Sequence, residues 1–108
     1  MDDSGGRLNQ MTREQTISLL RRHAEDFRHR GVAHLALFGS LARGDGGVDS
    51  DVDVVIDLMP DADFSLVDMA GIRLMLCDLT GKSADLVIEE DLDFEFKARI
   101  AQDRLEVF

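Results

Sequence analysis

From Thr12 onward the apolar positions alternate between helical and extended spacing. Ile17, Leu20, Ala24 and Phe27 recur at steps of three and four, with Arg21, Arg22, Glu25 and Asp26 mostly opposite, which predicts a helix over about 13–30. Thr12 and Gln15 have the spacing of a capping box at its start, and Gly31 supplies a C-cap. Val32 to Phe38 is a short apolar run between Gly31 and Gly39, the length and punctuation of a buried strand. Ser40 to Arg43 fits a turn of helix, and Gly44 to Ser50 reads as a loop by composition. From Asp51 the residues alternate: Asp51, Asp53, Val55 and Asp57 point one way, and Val52, Val54, Ile56 and Leu58 the other. This second strand ends at Pro60.

Leu66, Met69, Ala70, Leu74 and Cys77, with Ile72, Leu76 and Leu79 beside them, give a further helix with a wide apolar stripe, capped by Asp63 or Ser65 and stopped by Gly81. Its composition predicts that it is largely buried. Asp85 to Glu89 alternates as a third strand, 92–104 is helical, and 105–108 forms a short last strand. The order predicts an α/β (or α+β) single domain, a small mixed sheet covered by helices, over residues 12–108. Residues 1–11 are polar, carry Gly5-Gly6 and lack periodicity, which suits a flexible leader.

Length and charge narrow the function. A chain of 108 residues supports one core and hardly two. Its net charge of −10 repels the phosphates that a general nucleic-acid clamp must neutralise. The N-terminus lacks the basic-then-apolar order of a signal peptide and no apolar run approaches the ~20 residues of a membrane span, so the expected location is cytoplasmic. A single cysteine, Cys77, and three scattered histidines match no zinc-ligand spacing.

One constellation carries chemistry. The first strand ends in Gly39-Ser40, and after residues 41–50 comes Asp51-Val52-Asp53. Carboxylates at i and i+2 of a strand share a face about 6.6 Å apart by Cα, so both can converge on one divalent ion. Asp85, opening the next strand after a crossover helix, offers a third oxygen ligand if the two strands are neighbours. Such acids repel unless a hard cation such as Mg²⁺ is shared among them. Gly39, lacking Cβ, lets a phosphate approach the main chain, and Ser40 presents a hydroxyl and free amides to an anion. Metal-binding acids beside a phosphate cradle imply phosphoryl or nucleotidyl transfer.

Gly39-Ser40, ten residues, Asp51-Val52-Asp53 and a later Asp85 opening Asp-Leu-Val resemble the minimal nucleotidyltransferases (MNT) of the DNA polymerase beta superfamily, over about residues 12–108. The resemblance implies that Asp51 and Asp53 bind two Mg²⁺ ions, that Asp85 completes the site at the catalytic metal, and that Gly39 and Ser40 hold the β and γ phosphates of ATP. It further implies an antitoxin, paired in a hetero-oligomer with a HEPN-type ribonuclease toxin that is inactivated by AMP transfer to a tyrosine. This chain has no tyrosine, so it cannot be its own acceptor on that residue type.

Competing readings are weaker or remain open. An EF-hand starting at Asp49 fails because Val54 stands where the loop needs glycine and Pro60 where it needs glutamate. No Gly-Lys-Ser/Thr follows a glycine run, which excludes a P-loop. Arg43 either reaches the triphosphate or lies solvated on the outer side of its turn; the sequence leaves both open. Asp57, Lys82 and Glu89 to Asp91 read as surface charge, His34 as a half-buried histidine, and Cys77, Met69, Met75 and the phenylalanines as core. Phe94, Phe96, Ile100 and Leu105 exceed what so small a core buries and predict a partner patch on the last helix. Two alternative functions stay beside the enzyme: a non-catalytic antitoxin that masks its toxin, and a nucleotidyltransferase acting on a small-molecule hydroxyl.

Overall fold

The computed structural model describes residues 12–45 and 50–108; the expected leader at 1–11 and the centre of the glycine-rich loop at 46–49 lie outside the described residues. The elements are α1 (Arg13–Arg22), α2 (Ala24–His29), β1 (Val32–Phe38), α3 (Gly39–Arg43), β2 (Val52–Leu58), α4 (Leu66–Thr80), β3 (Ala84–Ile88), a 3₁₀ turn at Glu89–Asp91, α5 (Phe94–Asp103) and β4 (Leu105–Glu106). The capping box forms as the sequence predicts: Thr12 Oγ1 accepts from the Gln15 amide at 3.1 Å, and Gln15 Oε1 accepts from the Thr12 amide at 2.9 Å. The single helix expected over 13–30 is two. The chain tightens where the His23 amide donates to the Leu20 carbonyl, three residues back, and α2 restarts at Ala24. No glycine or proline marks that bend, and Leu20, Ala24 and Phe27 stay buried on both sides of it.

The four strands are ordered β3-β2-β1-β4. β1 runs antiparallel to β2 and to β4, whereas β2 and β3 are parallel, a pairing that requires the long crossover α4 provides. Alternation divides the core into two layers. On one face Leu35, Leu37, Val52, Val54, Ile56 and Ala84 pack beneath Leu20 and Phe27 of α1 and α2 and Ile72 and Leu76 of α4. On the other, Ala36 and Val55 pack against Ile100 of α5, with Phe38, Val87 and Phe96 around them.

Three expectations about burial change. Ser65, rather than Asp63, caps α4 through a capping box with Asp68, and Gly81 closes it with φ +72°. Only Ile72 and Leu76 of α4 are fully buried, while Leu66, Val67 and Leu74 stand 87%, 80% and 64% exposed. The sheet covers one side of this helix and nothing in the described residues covers the other. The expected patch on the last helix does not form. Ile100 is buried, Phe96 and Leu105 pack against the two clusters, and Phe94 alone remains exposed, at 85%. His34 is exposed rather than half-buried, in β1 where the register against β2 shifts.

Candidate active site

The turn from β1 into α3 sets the site. Phe38 is extended, and Gly39 follows with φ +77°, a conformation that side chains rarely adopt and glycine takes freely. Because Phe38 pairs with Asp53 across the β1–β2 ladder, Gly39 lies directly beside the Asp53 side chain. A Cβ on Gly39 would overlap Asp53 Oδ2 and stand 3.1 Å from Asp53 Cγ. The open side of Gly39, where the sequence reading expects a phosphate, is thus bordered by the Asp53 carboxylate. Short as it is, α3 is anchored: Leu41 and Ala42 are buried, and Arg13 Nη1 donates to the Ala42 carbonyl at 2.7 Å. Ser40, half-buried in the first turn, accepts from the Gly44 and Asp45 amides through its carbonyl and so closes the C-terminal end of α3.

The three acids come from adjacent segments. Asp53 on β2 and Asp85 on β3 are direct partners in the parallel register, with side chains on the α5 face of the sheet. Asp51 immediately precedes β2, is exposed, and by alternation faces the same way as Asp53. Arg73 Nε holds the neighbouring Ala84 carbonyl at 3.0 Å, fixing the start of β3 where Asp85 stands. Asp57, four pairs further along β2, lies beside His34 and away from this group.

Electrostatics report the same neighbourhood. The Asp53 carboxyl is held above its ordinary 3.8, first by burial, then by the negative charges of Asp85 and Asp51, with Arg43 partly offsetting them. Arg43 itself is committed: Nη1 donates to Asp103 of α5 at 2.9 Å and Nε to Asp45 at 3.2 Å, bonds that raise its own proton affinity. It is therefore neither a loose solvated side chain nor free to bind an anion without giving up a carboxylate. Among the described residues no three acid, histidine or cysteine side chains are drawn together as a finished ligand cage. What the chain does present is a set of hard oxygen donors on one face whose mutual repulsion a divalent cation would relieve, so the donor chemistry fits Mg²⁺.

The sequence reading missed two parts of this site. Asp103, sixty residues from Arg43, tethers α3 to α5, and the packing of Asp53 on Gly39 gives the glycine a second reason beyond its backbone angle. Both are long-range contacts that neither periodicity nor motif spacing encodes.

A mixed sheet whose first hairpin faces Gly-Ser with Asp-x-Asp, joined by a third acid on the parallel neighbour, defines an α/β domain built for phosphorus transfer from nucleotides. The chain belongs to the nucleotidyltransferase domain family, whose model matches residues 20–107. It is 35% identical over 85 residues, 76% of this chain and 82% of the relative, to the protein adenylyltransferase MntA of Thermococcus cleftensis. Its fold is similar to a solved chain assigned as a minimal nucleotidyltransferase, with TM-score 0.72 and 27% identity over 89% of this chain and 96% of that one. It also shares the fold of a toxin-antitoxin solved with AMP-PNP, at TM-score 0.66 and 16% identity over 91% and 73% of the two chains. A third structure, of the tri-AMPylated Shewanella oneidensis HEPN toxin with its MNT antitoxin, aligns at TM-score 0.61 and 13% identity over 85% and 71%.

Proposed function

We propose that this protein is a Mg²⁺-dependent protein adenylyltransferase that moves AMP from ATP to a hydroxyl of a HEPN-domain toxin and thereby acts as its antitoxin, in the cytoplasm. The observation that carries the reading is the placement of Asp53 between Gly39 of the turn and Asp85 of the parallel strand. The relative named a protein adenylyltransferase supports the acceptor class, and the fold shared with toxin-antitoxin structures supports the partner. In this reading Asp51, Asp53 and Asp85 hold Mg²⁺, while Gly39 and Ser40 receive the β and γ phosphates. Bound there, Mg²⁺ neutralises phosphate charge and withdraws electron density from the reacting phosphorus. The chain's own residues do the positioning. The left-handed Gly39 starts α3 against Asp53, with Ser40 next in its first turn, and the Arg13 and Arg43 contacts hold α3 in place for the triphosphate. The acceptor oxygen then bonds to the α phosphorus as the bond from that phosphorus to the pyrophosphate oxygen breaks, the acceptor's proton passing to solvent and pyrophosphate leaving with the bond's electron pair. The sequence has no tyrosine, so in this reading a tyrosine acceptor belongs to a partner.

The test is direct. Incubated with α-labelled ATP, Mg²⁺ and the HEPN-domain protein encoded beside it, the wild type is expected to label the toxin, and label should vanish with EDTA. An unlabelled toxin, or undiminished labelling by Asp51→Asn/Asp53→Asn, contradicts the proposal. The masking alternative gains only if that double variant still protects cells expressing the toxin.

A further inference from the structure

We infer that the outer face of α4 is the surface on which the toxin docks, through an apolar stripe that fits a partner patch of aliphatic side chains flanked by lysine or arginine. The inference rests on the proposed function for the identity of the partner. α4 is apolar almost all round, the composition of a helix covered on every side. The sheet covers only the side carrying Ile72 and Leu76. Opposite them Leu66, Ala70 and Leu74 follow one another at steps of four, with Val67 beside Ala70, and all four are exposed.

Acids bracket this stripe. Asp63 lies three residues before Leu66, and Asp78 lies one turn beyond Leu74. Asp78 stands in the last turn of α4, which contains no basic residue, so its charge adds to the negative end of the helix dipole. Arg73, the cation within the helix, turns its Nε to the Ala84 carbonyl of β3, and Arg30 reaches over Gly71 at the margin of the stripe. A second copy of this chain is a poor occupant. Two chains of net charge −10 repel, and an antiparallel two-fold pairing of α4 sets Asp63 against Asp78, while a parallel one sets each acid against itself. Four side chains also cover less than the ~800 Å² per partner of a standard interface, so the occupant must extend beyond the stripe. α4 leads into β3, the edge strand that carries Asp85. A partner seated on α4 and continuing round that edge arrives at the face where the acids stand, which a patch elsewhere on the helical layer does not offer.

The experiment measures complex formation with the toxin by titration calorimetry and light scattering, and transfer of label in parallel. Leu66→Asp/Leu74→Asp, at positions already in water, is expected to keep its melting temperature and its affinity for Mg²⁺ and AMP-PNP. Its affinity for the toxin is expected to fall at least about 100-fold, with label falling in step. Asp63→Lys/Asp78→Lys is expected to weaken the complex about 3- to 10-fold at low salt, a difference that fades toward about 0.5 M NaCl. Toxin binding and labelling undiminished in the leucine variant would overturn the docking surface and leave the transferase standing. Wild-type binding that is lost in that variant, without label in either, would keep the docking surface and remove the transferase. A wild-type dimer that the variant splits would assign the stripe to a second copy and overturn the inference, as would a complex tightened by the lysine variant.

Discussion

Gly39→Ala is expected to lower AMP transfer at least about 100-fold while the chain remains folded. Two effects act at one atom. A methyl group at φ +77° costs about 1–2 kcal/mol of backbone strain, which a domain with the usual 5–15 kcal/mol of stability survives. The same methyl group overlaps Asp53 Oδ2, and the neighbouring atom cannot swing away freely, because Asp53 Cγ and Cβ stand 3.1 and 3.3 Å from the new carbon. The carboxylate must shift by a substantial fraction of an ångström, and displacements of that size at a reacting centre cost on the order of 100-fold. Ser40→Ala in the same turn removes a hydroxyl without displacing Asp53, so its loss should be smaller. Circular dichroism melts and label transfer measured on both variants check the pair. A Gly39→Ala protein that melts several degrees lower yet transfers AMP at the wild-type rate would show that the glycine serves only the backbone.

Asp53→Asn is expected to abolish transfer, by at least about 10³-fold, and at the same time to stabilise the metal-free protein. Stabilisation follows from the direction in which the carboxyl is shifted. Its folded pKa lies above 3.8, so the folded state binds a proton more readily than the unfolded chain does, and the burial of its charge, together with repulsion from Asp85 and Asp51, weighs on the fold at neutral pH. That cost is relieved as pH falls through the folded value toward 3.8, and it is fully present above both. The side chain is only partly buried and solvent screens the repulsion, so the gain from asparagine is a few tenths of a kcal/mol, seen as a rise of about 1–3 °C at pH 7 in EDTA. The difference should close below about pH 4. Added Mg²⁺ should reverse the order, raising the melting temperature of the wild type and not of Asp53→Asn, because a ligand that binds only the folded state stabilises it by mass action. Wild type and variant melting together at every pH, with and without Mg²⁺, would remove the electrostatic part of this account.

Much of the fold and the candidate site is legible in the chain because both depend on local rules. Alternation from Asp51 to Leu58 points Asp51, just before β2, the same way as Asp53 within it, and a glycine at each end of Val32 to Phe38 marks a strand of the observed length. The Thr12 capping box and the Gly81 cap end helices where the spacing says they should. What the sequence hides is non-local. The break at His23 carries no glycine or proline. An apolar helix reads as buried whether or not this chain covers its second face, so composition alone puts α4 inside, and the apolar residues 94–105 read as surplus although Ile100 is buried against the sheet. His34 turns outward at a register shift that strand periodicity cannot anticipate. Asp103 joins the site only because α5 runs back across the sheet to meet Arg43.

The most direct measurement of the central claim is a crystal of the protein soaked with Mn²⁺ and AMP-PNP, with anomalous scattering locating the metal. Density ligated by the Asp51 and Asp53 carboxylates with Asp85 alongside, and phosphates lying against the Gly39-Ser40 turn, is the predicted result. Mn²⁺ bound elsewhere, or phosphates seated away from that turn while the three acids bind nothing, would contradict it.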